Sequence, residues 1–206
     1  MMMIVIIVNS KGWVIVKITR EQVELNRAHV IDTAATLFRE RGIDGIGIAD
    51  LMKAAGMTHG GFYRQFRSKN DLAAQAVAHA VKGTSSEISA VLDGADDPLS
   101  ALVRFYVSPE HRDAPSSGCS LATLAIDAAR STDPALQALF GDLIGKYIAL
   151  LTTLVPGDGR VAREEAIATL AEMVGAIILS RAVTDRATSD EILRAVVNDL
   201  LTRHAE

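Results

Sequence analysis

The sequence predicts an all-α protein, and three observations lead there. Apolar residues recur at helical spacing along most of the 206-residue chain. N-cap residues and Gly or Pro breaks divide that pattern into segments of helix length, about nine of them. Apolar residues make up 49% of the chain and aromatics only 4%. Ala, Leu, Ile and Val therefore form the interior, a composition that suits closely packed helices.

Residues 1–18 stand apart as an atypical tail. Met1 to Val8 is an unbroken apolar run. It is too short to span a bilayer, and it lacks the basic leading segment and small-residue cleavage site of a signal peptide. Together with Asn9-Ser10-Lys11-Gly12 and Trp13 to Ile18 it reads as two β-branched strands about a Gly-containing turn. A lone hairpin is marginal in water. The alternative is that the native start lies later and this stretch is upstream sequence.

The first helix is expected over 20–41. Thr19-Arg20-Glu21-Gln22 has the form of a capping box, and Gly42 ends the segment. Val23, Val30, Ile31, Ala34, Leu37 and Phe38 fall on one face. A second helix is expected over 48–55, a turn at Gly56, and a third helix over 59–65. Ser68-Lys69-Asn70-Asp71 caps a longer helix, 69–92. Asp97-Pro98 opens the next, 98–108, and a loop with Pro109, Pro115 and Gly118 follows. Further helices are expected over 118–130, over 133–155 from Asp133-Pro134, and over 160–184. The last begins at a second capping box, Thr188-Ser189-Asp190-Glu191, and runs to about 203.

Charge is uneven along the chain. Residues 17–72 carry nine Lys/Arg against seven Asp/Glu, whereas residues 73–206 carry eleven against eighteen. A weakly basic head on an acidic body fits nucleic-acid contact at one end, though so small an excess also arises by chance. The single cysteine, Cys119, rules out an intramolecular disulfide and points to a reducing, cytoplasmic setting. The five histidines are scattered, so no metal site is expected. No Ser/His/Asp, P-loop or GxGxxG pattern indicates an enzyme or a cofactor, and no stretch indicates a membrane partner.

The most informative segment is 42–72. Two short amphipathic helices flank Gly56, an arrangement of the helix-turn-helix kind in which one helix braces and the next enters the major groove. The residues Ala34-Ala35, Leu37-Phe38, Gly42, Ile48-Ala49, Leu51, Ala55-Gly56-Met57-Thr58, Gly60, Phe62-Tyr63, Phe66, Ser68-Lys69 and Leu72 resemble the DNA-binding domain of the TetR family of transcriptional repressors. Gly47 departs from that pattern, which more often has Thr or Ser there, and is a slightly weaker cap. The resemblance divides the chain into a DNA-binding domain, 19–68, and an effector-binding and dimerisation domain, 69–206.

Duplex phosphates attract cations and hydroxyl or amide donors, and base edges suit short polar groups on the inserted helix. Thr58 fits an N-cap whose hydroxyl also reaches a phosphate. His59, Gly60 and Gly61 sit at the helix start, where the glycines let the backbone approach closely. Tyr63 lies one turn on from His59 on the same face, and Arg64 adds charge. The resemblance implies that Tyr63 and Lys69 bind phosphates. Each has a plainer alternative: an idle His59, a merely solvated Arg64, a core Tyr63. Phe62 and Phe66 are expected to pack inward.

The resemblance also implies an effector pocket and a homodimer interface in the C-terminal half. Apolar stripes on the last two helices, including Ile177, Ile178, Ile192, Val196, Val197 and Leu200 beside Arg181, suit a four-helix dimer seam or burial within one chain. Phe105, Tyr106, Tyr147 and Met173 are candidates for the pocket lining or for ordinary core. Cys119 lies near a predicted helix start, which favours thiolate. Some members of the family sense electrophiles through a cysteine in this region; burial as a small apolar residue is the alternative. The expectation is a homodimeric repressor that reads a palindromic double-stranded DNA operator and is released by a small-molecule or thiol-reactive effector. The competing expectation is a helical protein-interaction module without DNA binding.

Overall fold

A computed structural model describes residues 3–9 and 12–204, with the side chains of residues 19–204. Strands β1 (Met3–Asn9) and β2 (Gly12–Ile18) pair antiparallel, from Met3 opposite Ile18 to Asn9 opposite Gly12. The expected turn between them includes residues 10 and 11, which lie outside the described residues, as do Met1 and Met2.

From Arg20 onward the described chain is helical. The elements are α1 (Arg20–Arg41), α2 (Ile48–Ala54), α3 (His59–Phe62), α4 (Lys69–Leu92), α5 (Pro98–Tyr106), α6 (Pro109–Asp113), α7 (Leu121–Arg130), α8 (Pro134–Thr152), α9 (Gly159–Ala182) and α10 (Arg186–Arg203). The all-α class holds, with α6 as an additional short helix where a loop was expected. Ser108 and Pro109 start it: the Ser108 hydroxyl accepts from the His111 amide at 3.2 Å, and proline suits the first position.

Local chemistry explains most boundaries. Thr19 Oγ1 accepts the Gln22 amide at 3.1 Å, while the Gln22 side chain turns to Asn26 instead of closing the box. Ser68, Asp97 and Asp133 cap α4, α5 and α8 through their side chains. The start of α10 is a correction. Asp185, not Thr188, is its N-cap, accepting the Thr188 amide at 2.8 Å, so the helix begins a turn earlier.

The long helix α4 joins the two halves. Its inner face carries Leu72, Ala73, Ala76, Val77, Ala80, Thr84 and Ile88, which meet α1 near its start and α5 and α8 further on. Small residues at one end let α1 and α4 approach closely, as Ala34 and Ala35 do from the α1 side. Helix α8 is long and apolar enough by length and composition to cross a membrane. It instead buries Leu136, Phe140, Leu143, Ile148 and Leu151 against α4, α7 and α9. Arg112, almost fully enclosed, pairs with Asp113 and Asp190 and donates to the Ser189 hydroxyl, tying α6 to α10.

Candidate functional site

The head of the molecule is built around α2, a turn and α3. Gly56 makes that turn at φ 67°, a left-handed conformation in which a side chain is strained. Leu51 and Met52 anchor α2 in the core. Gly47 caps α2 with no side-chain hydrogen bond, as expected of glycine there.

Helix α3 is shorter than the expected 59–65: it spans His59–Phe62, and residues 63–65 form turns. Two adjacent glycines, each about 1 kcal/mol unfavourable in a helix, account for that. Phe62 and Phe66 are 0% and 3% exposed, with ring centroids 5.5 Å apart. The Arg27 guanidinium covers the Phe66 ring at 4.8 Å and donates to Gln75, locking the inner edge of the head onto α1 and α4.

The outer face is polar and open. Thr58, His59, Gly60, Tyr63 and Arg64 are exposed, Tyr63 at 63%. Thr58 occupies the N-cap position, yet its hydroxyl makes no capping hydrogen bond. His59 and Tyr63 meet edge to face at 5.6 Å. A side chain at Gly60 would meet nothing within 4 Å, and one at Gly61 would touch Thr58 only at ordinary distance. Packing within the chain therefore demands neither glycine. Lys69, half-buried at the start of α4, holds its ammonium 3.7 Å from the fully exposed Asp44 carboxylate.

A cavity of about 430 Å³ lies between α4, α5, α6 and the loop 114–119. Its deep wall rests on His111. The imidazole Nδ1 meets the Tyr106 carbonyl at 2.7 Å, and Nε2 meets the Cys119 amide at 2.9 Å. The amide can only donate, so Nε2 accepts and the proton sits on Nδ1. Burial pushes the imidazole pKa below its ordinary value, in keeping with that neutral tautomer. A Cβ on Gly118 would stand 2.6 Å from the same ring. Only glycine lets the loop pass so close.

Cys119 is 1% exposed, and its thiol donates to the Tyr147 hydroxyl at 3.6 Å. Tyr106 is 3% exposed, and its hydroxyl has no hydrogen-bond partner among the described residues. Burial pushes both phenols above their ordinary pKa. A second cavity of about 160 Å³, lined by Val81, Leu92, Leu143, Tyr147 and Leu150, shares Ile88 with the first.

Phe105, Tyr106 and Cys119 thus line the larger cavity and Tyr147 the smaller, whereas Met173 lies in the core and lines neither. His111, Gly118 and Ile88 also line the larger cavity and were not anticipated. The spacing of His111 and Cys119 across a Pro-Ser-Ser-Gly turn was the signal available for the first two. Ile88 carries none. The same loop is held from the head: Arg39 of α1 donates to the carbonyls of Ser117 and Gly118 at 3.4 and 3.3 Å.

On α9 and α10 the anticipated seam residues separate by depth. Ile177 and Leu200 are fully enclosed within the single chain. Ile192, Val196 and Val197 are half-buried, and Ile178 is 45% exposed. Arg181 is half-buried and directs its guanidinium at the carbonyls of His111, Arg112 and Ala122. The open large apolar side chains of α9 are Val161, Ile167, Ile178 and Leu179.

A bracing helix, a glycine turn and a short helix with a buried aromatic rear and a polar front define a helix-turn-helix DNA-binding head on a helical body. Residues 30–76 match the family model of bacterial regulatory proteins of the tetR family. The transcriptional regulator AcrR of Shigella flexneri is 35% identical over 54 residues, which are 26% of this chain and 25% of that relative. The match to the transcriptional repressor DhaR of Mycobacterium sp. strain GP1 is 23% identical over 182 residues and covers 85% of this chain and 92% of that one. The crystal structure of a TetR-family regulator from Cytophaga hutchinsonii shares the fold with a TM-score of 0.73 at 24% identity, covering 88% of this chain and 96% of its own. The head thus resembles the DNA-binding part of the TetR family over residues 30–76, and the helical body shares its fold with a solved regulator of that family.

Proposed function

We propose that the protein is a ligand-responsive transcriptional repressor that binds a palindromic operator as a homodimer. One observation carries the reading: α3 is pinned from behind by Phe62 and Phe66 and leaves Thr58, His59, Gly60, Tyr63 and Arg64 facing outward. That is the surface a recognition helix presents to a major groove. Thr58 and Tyr63 supply hydroxyls to phosphates, Arg64 and Lys69 supply charge, and His59 meets base edges. Gly60 and Gly61, which packing within the chain does not require, let the duplex come close to the main chain.

In this reading residues 19–68 form the DNA-binding domain and residues 69–206 the effector and dimer domain. Two subunits join through the open face of α9, with Ile167, Ile178 and Leu179, and the half-buried edge of α10. Reading a palindrome on one face of the duplex requires the two recognition helices to stand about 34–36 Å apart, one turn of duplex. An effector in the cavity beside Cys119 favours a conformer with the wrong spacing, and the shift is bounded by its differential affinity for the two states. The protein acts in the cytoplasm, with the DNA.

Fluorescence anisotropy against a duplex from upstream of its own gene, paired with sedimentation, tests this. Salt-sensitive binding of two chains per site is the expected result. A strict monomer, or no binding to duplex at low salt, overturns it.

A further inference from the structure

The larger cavity says more about its ligand than that one exists. Its volume, about 430 Å³, falls in the range of small-molecule sites. Its buried lining is Ile88, Tyr106, Cys119 and Thr84, and the Thr84 hydroxyl already donates to the Ala80 carbonyl. Tyr106 is 3% exposed, and its hydroxyl, beside the Cys119 thiol, completes no hydrogen bond of acceptable geometry among the described residues. Cys119 is engaged with Tyr147, and both ring nitrogens of His111 are occupied. A buried polar group with no partner is rare, and a phenol is above all a donor.

Charge near the floor is already committed. Arg181 and Arg39 direct their N–H groups at main-chain carbonyls of residues 111, 112, 122, 35, 117 and 118, and Arg112 pairs with Asp113 and Asp190. Tyr106 and His111 are neutral. The charged side chains lining the cavity, Glu87, Arg104 and Glu110, are exposed and of both signs, and so belong to its rim. An ionic head placed in the depth would find no free counter-charge and would lose its hydration.

We infer that the cavity takes an uncharged, mostly apolar small molecule bearing a carbonyl oxygen, such as a ketone or ester, whose oxygen accepts from the Tyr106 hydroxyl. The apolar body lies against Ile88 and Phe105. This rests on the regulator reading above and narrows its effector to a chemical class.

The test is a matched series on the full-length protein: benzylacetone, phenylbutyrate, phenylbutylamine and butylbenzene. These share one apolar body and differ in carrying a carbonyl, a carboxylate, an ammonium or no polar head. Calorimetry and thermal melts read binding. The ketone is expected to bind and raise Tm, with the other three weaker. Tyr106→Phe, nearly isosteric, is expected to weaken the ketone on the order of tenfold while leaving butylbenzene unchanged. Stronger binding by the carboxylate or the amine overturns the inference, as does no binding by any of the four. Equal ketone affinity in Tyr106→Phe overturns it too. The series on the native protein stands by itself if that variant fails to fold. Anisotropy with duplex and no added ligand is run on the same preparation. Failure there refutes the regulator, whereas failure in the series alone refutes only the ligand class.

Discussion

Lys69→Ala separates phosphate anchoring from base reading. The Lys69 ammonium lies 3.7 Å from Asp44, whose carboxylate is fully exposed and so offers only a weak, screened hold. Moving from that partner to a phosphate is therefore easy. Each phosphate contact contributes about 0.9 to the slope of log K against log salt, so losing one per subunit lowers the slope of a dimer by about 1.8. Between 50 and 200 mM salt, a fourfold change, the advantage of the native protein over Lys69→Ala then shrinks about twelvefold. Asp44→Asn works in the opposite direction, because it frees the ammonium and removes a negative charge, so it is expected to tighten binding most at low salt. In the double variant the benefit of Asp44→Asn should shrink to the effect of that charge alone. Anisotropy titrations over this salt range, on an operator duplex and a scrambled one, provide the measurement. An unchanged slope in Lys69→Ala, or a loss confined to the operator, refutes the assignment.

Four further outcomes are expected. Gly118→Ala forces a Cβ to 2.6 Å from a ring held by two hydrogen bonds; a loss of about 1–3 kcal/mol in urea unfolding is expected, and full stability would mean the loop can move freely. The imidazole of His111 is neutral in the fold with a lowered pKa, so the unfolded chain binds the extra proton first. Its stabilising contribution is present above the ordinary histidine pKa of about 6.5 and falls as pH drops below it. The urea midpoint of His111→Gln should decline less than the native one between pH 7 and 5, and parallel curves would exclude His111 as a source. Ile178→Asp, on the open face of α9, should give a folded monomer by sedimentation with weakened operator binding; an intact dimer would move the seam elsewhere. Cys119, at 1% exposure, should react with iodoacetamide slowly in the native protein and quickly after denaturation, whereas fast native labelling would favour a thiol sensor.

The head was legible in the sequence because its signals are local. Gly56, the Thr19 and Ser68 caps and the Phe62/Phe66 spacing each act within a turn or two, and each sits where expected. The length of α3 was misjudged because apolar periodicity continues to Phe66 while Gly60-Gly61 weakens the helix beneath it. The start of α10 was misplaced because two acceptable caps, Asp185 and Thr188, compete, and the carboxylate is the one that folds back. The cavity was only partly legible. Phe105, Tyr106 and Cys119 are chemically conspicuous, but Ile88 lies far off in the chain and joins them only through the packing of α4 on α5. Depth on α9 was not readable either, since a stripe wide enough for both a core and a seam does not say which edge faces out.

Among the tethers that join head and body are Arg39 to the loop carbonyls, the Ile43 amide to the Asp127 carboxylate at 3.2 Å, and Arg27 to Gln75. Each crosses residue 68, where a chimera-builder would naturally cut. Transplanting the DNA-reading module of a relative at that joint would leave Asp127 and the 117–118 carbonyls without their mates unless the donor brought equivalents of Arg39 and Ile43. Specificity grafts onto this scaffold should therefore exchange the face of α3 alone and leave the α1 docking edge intact.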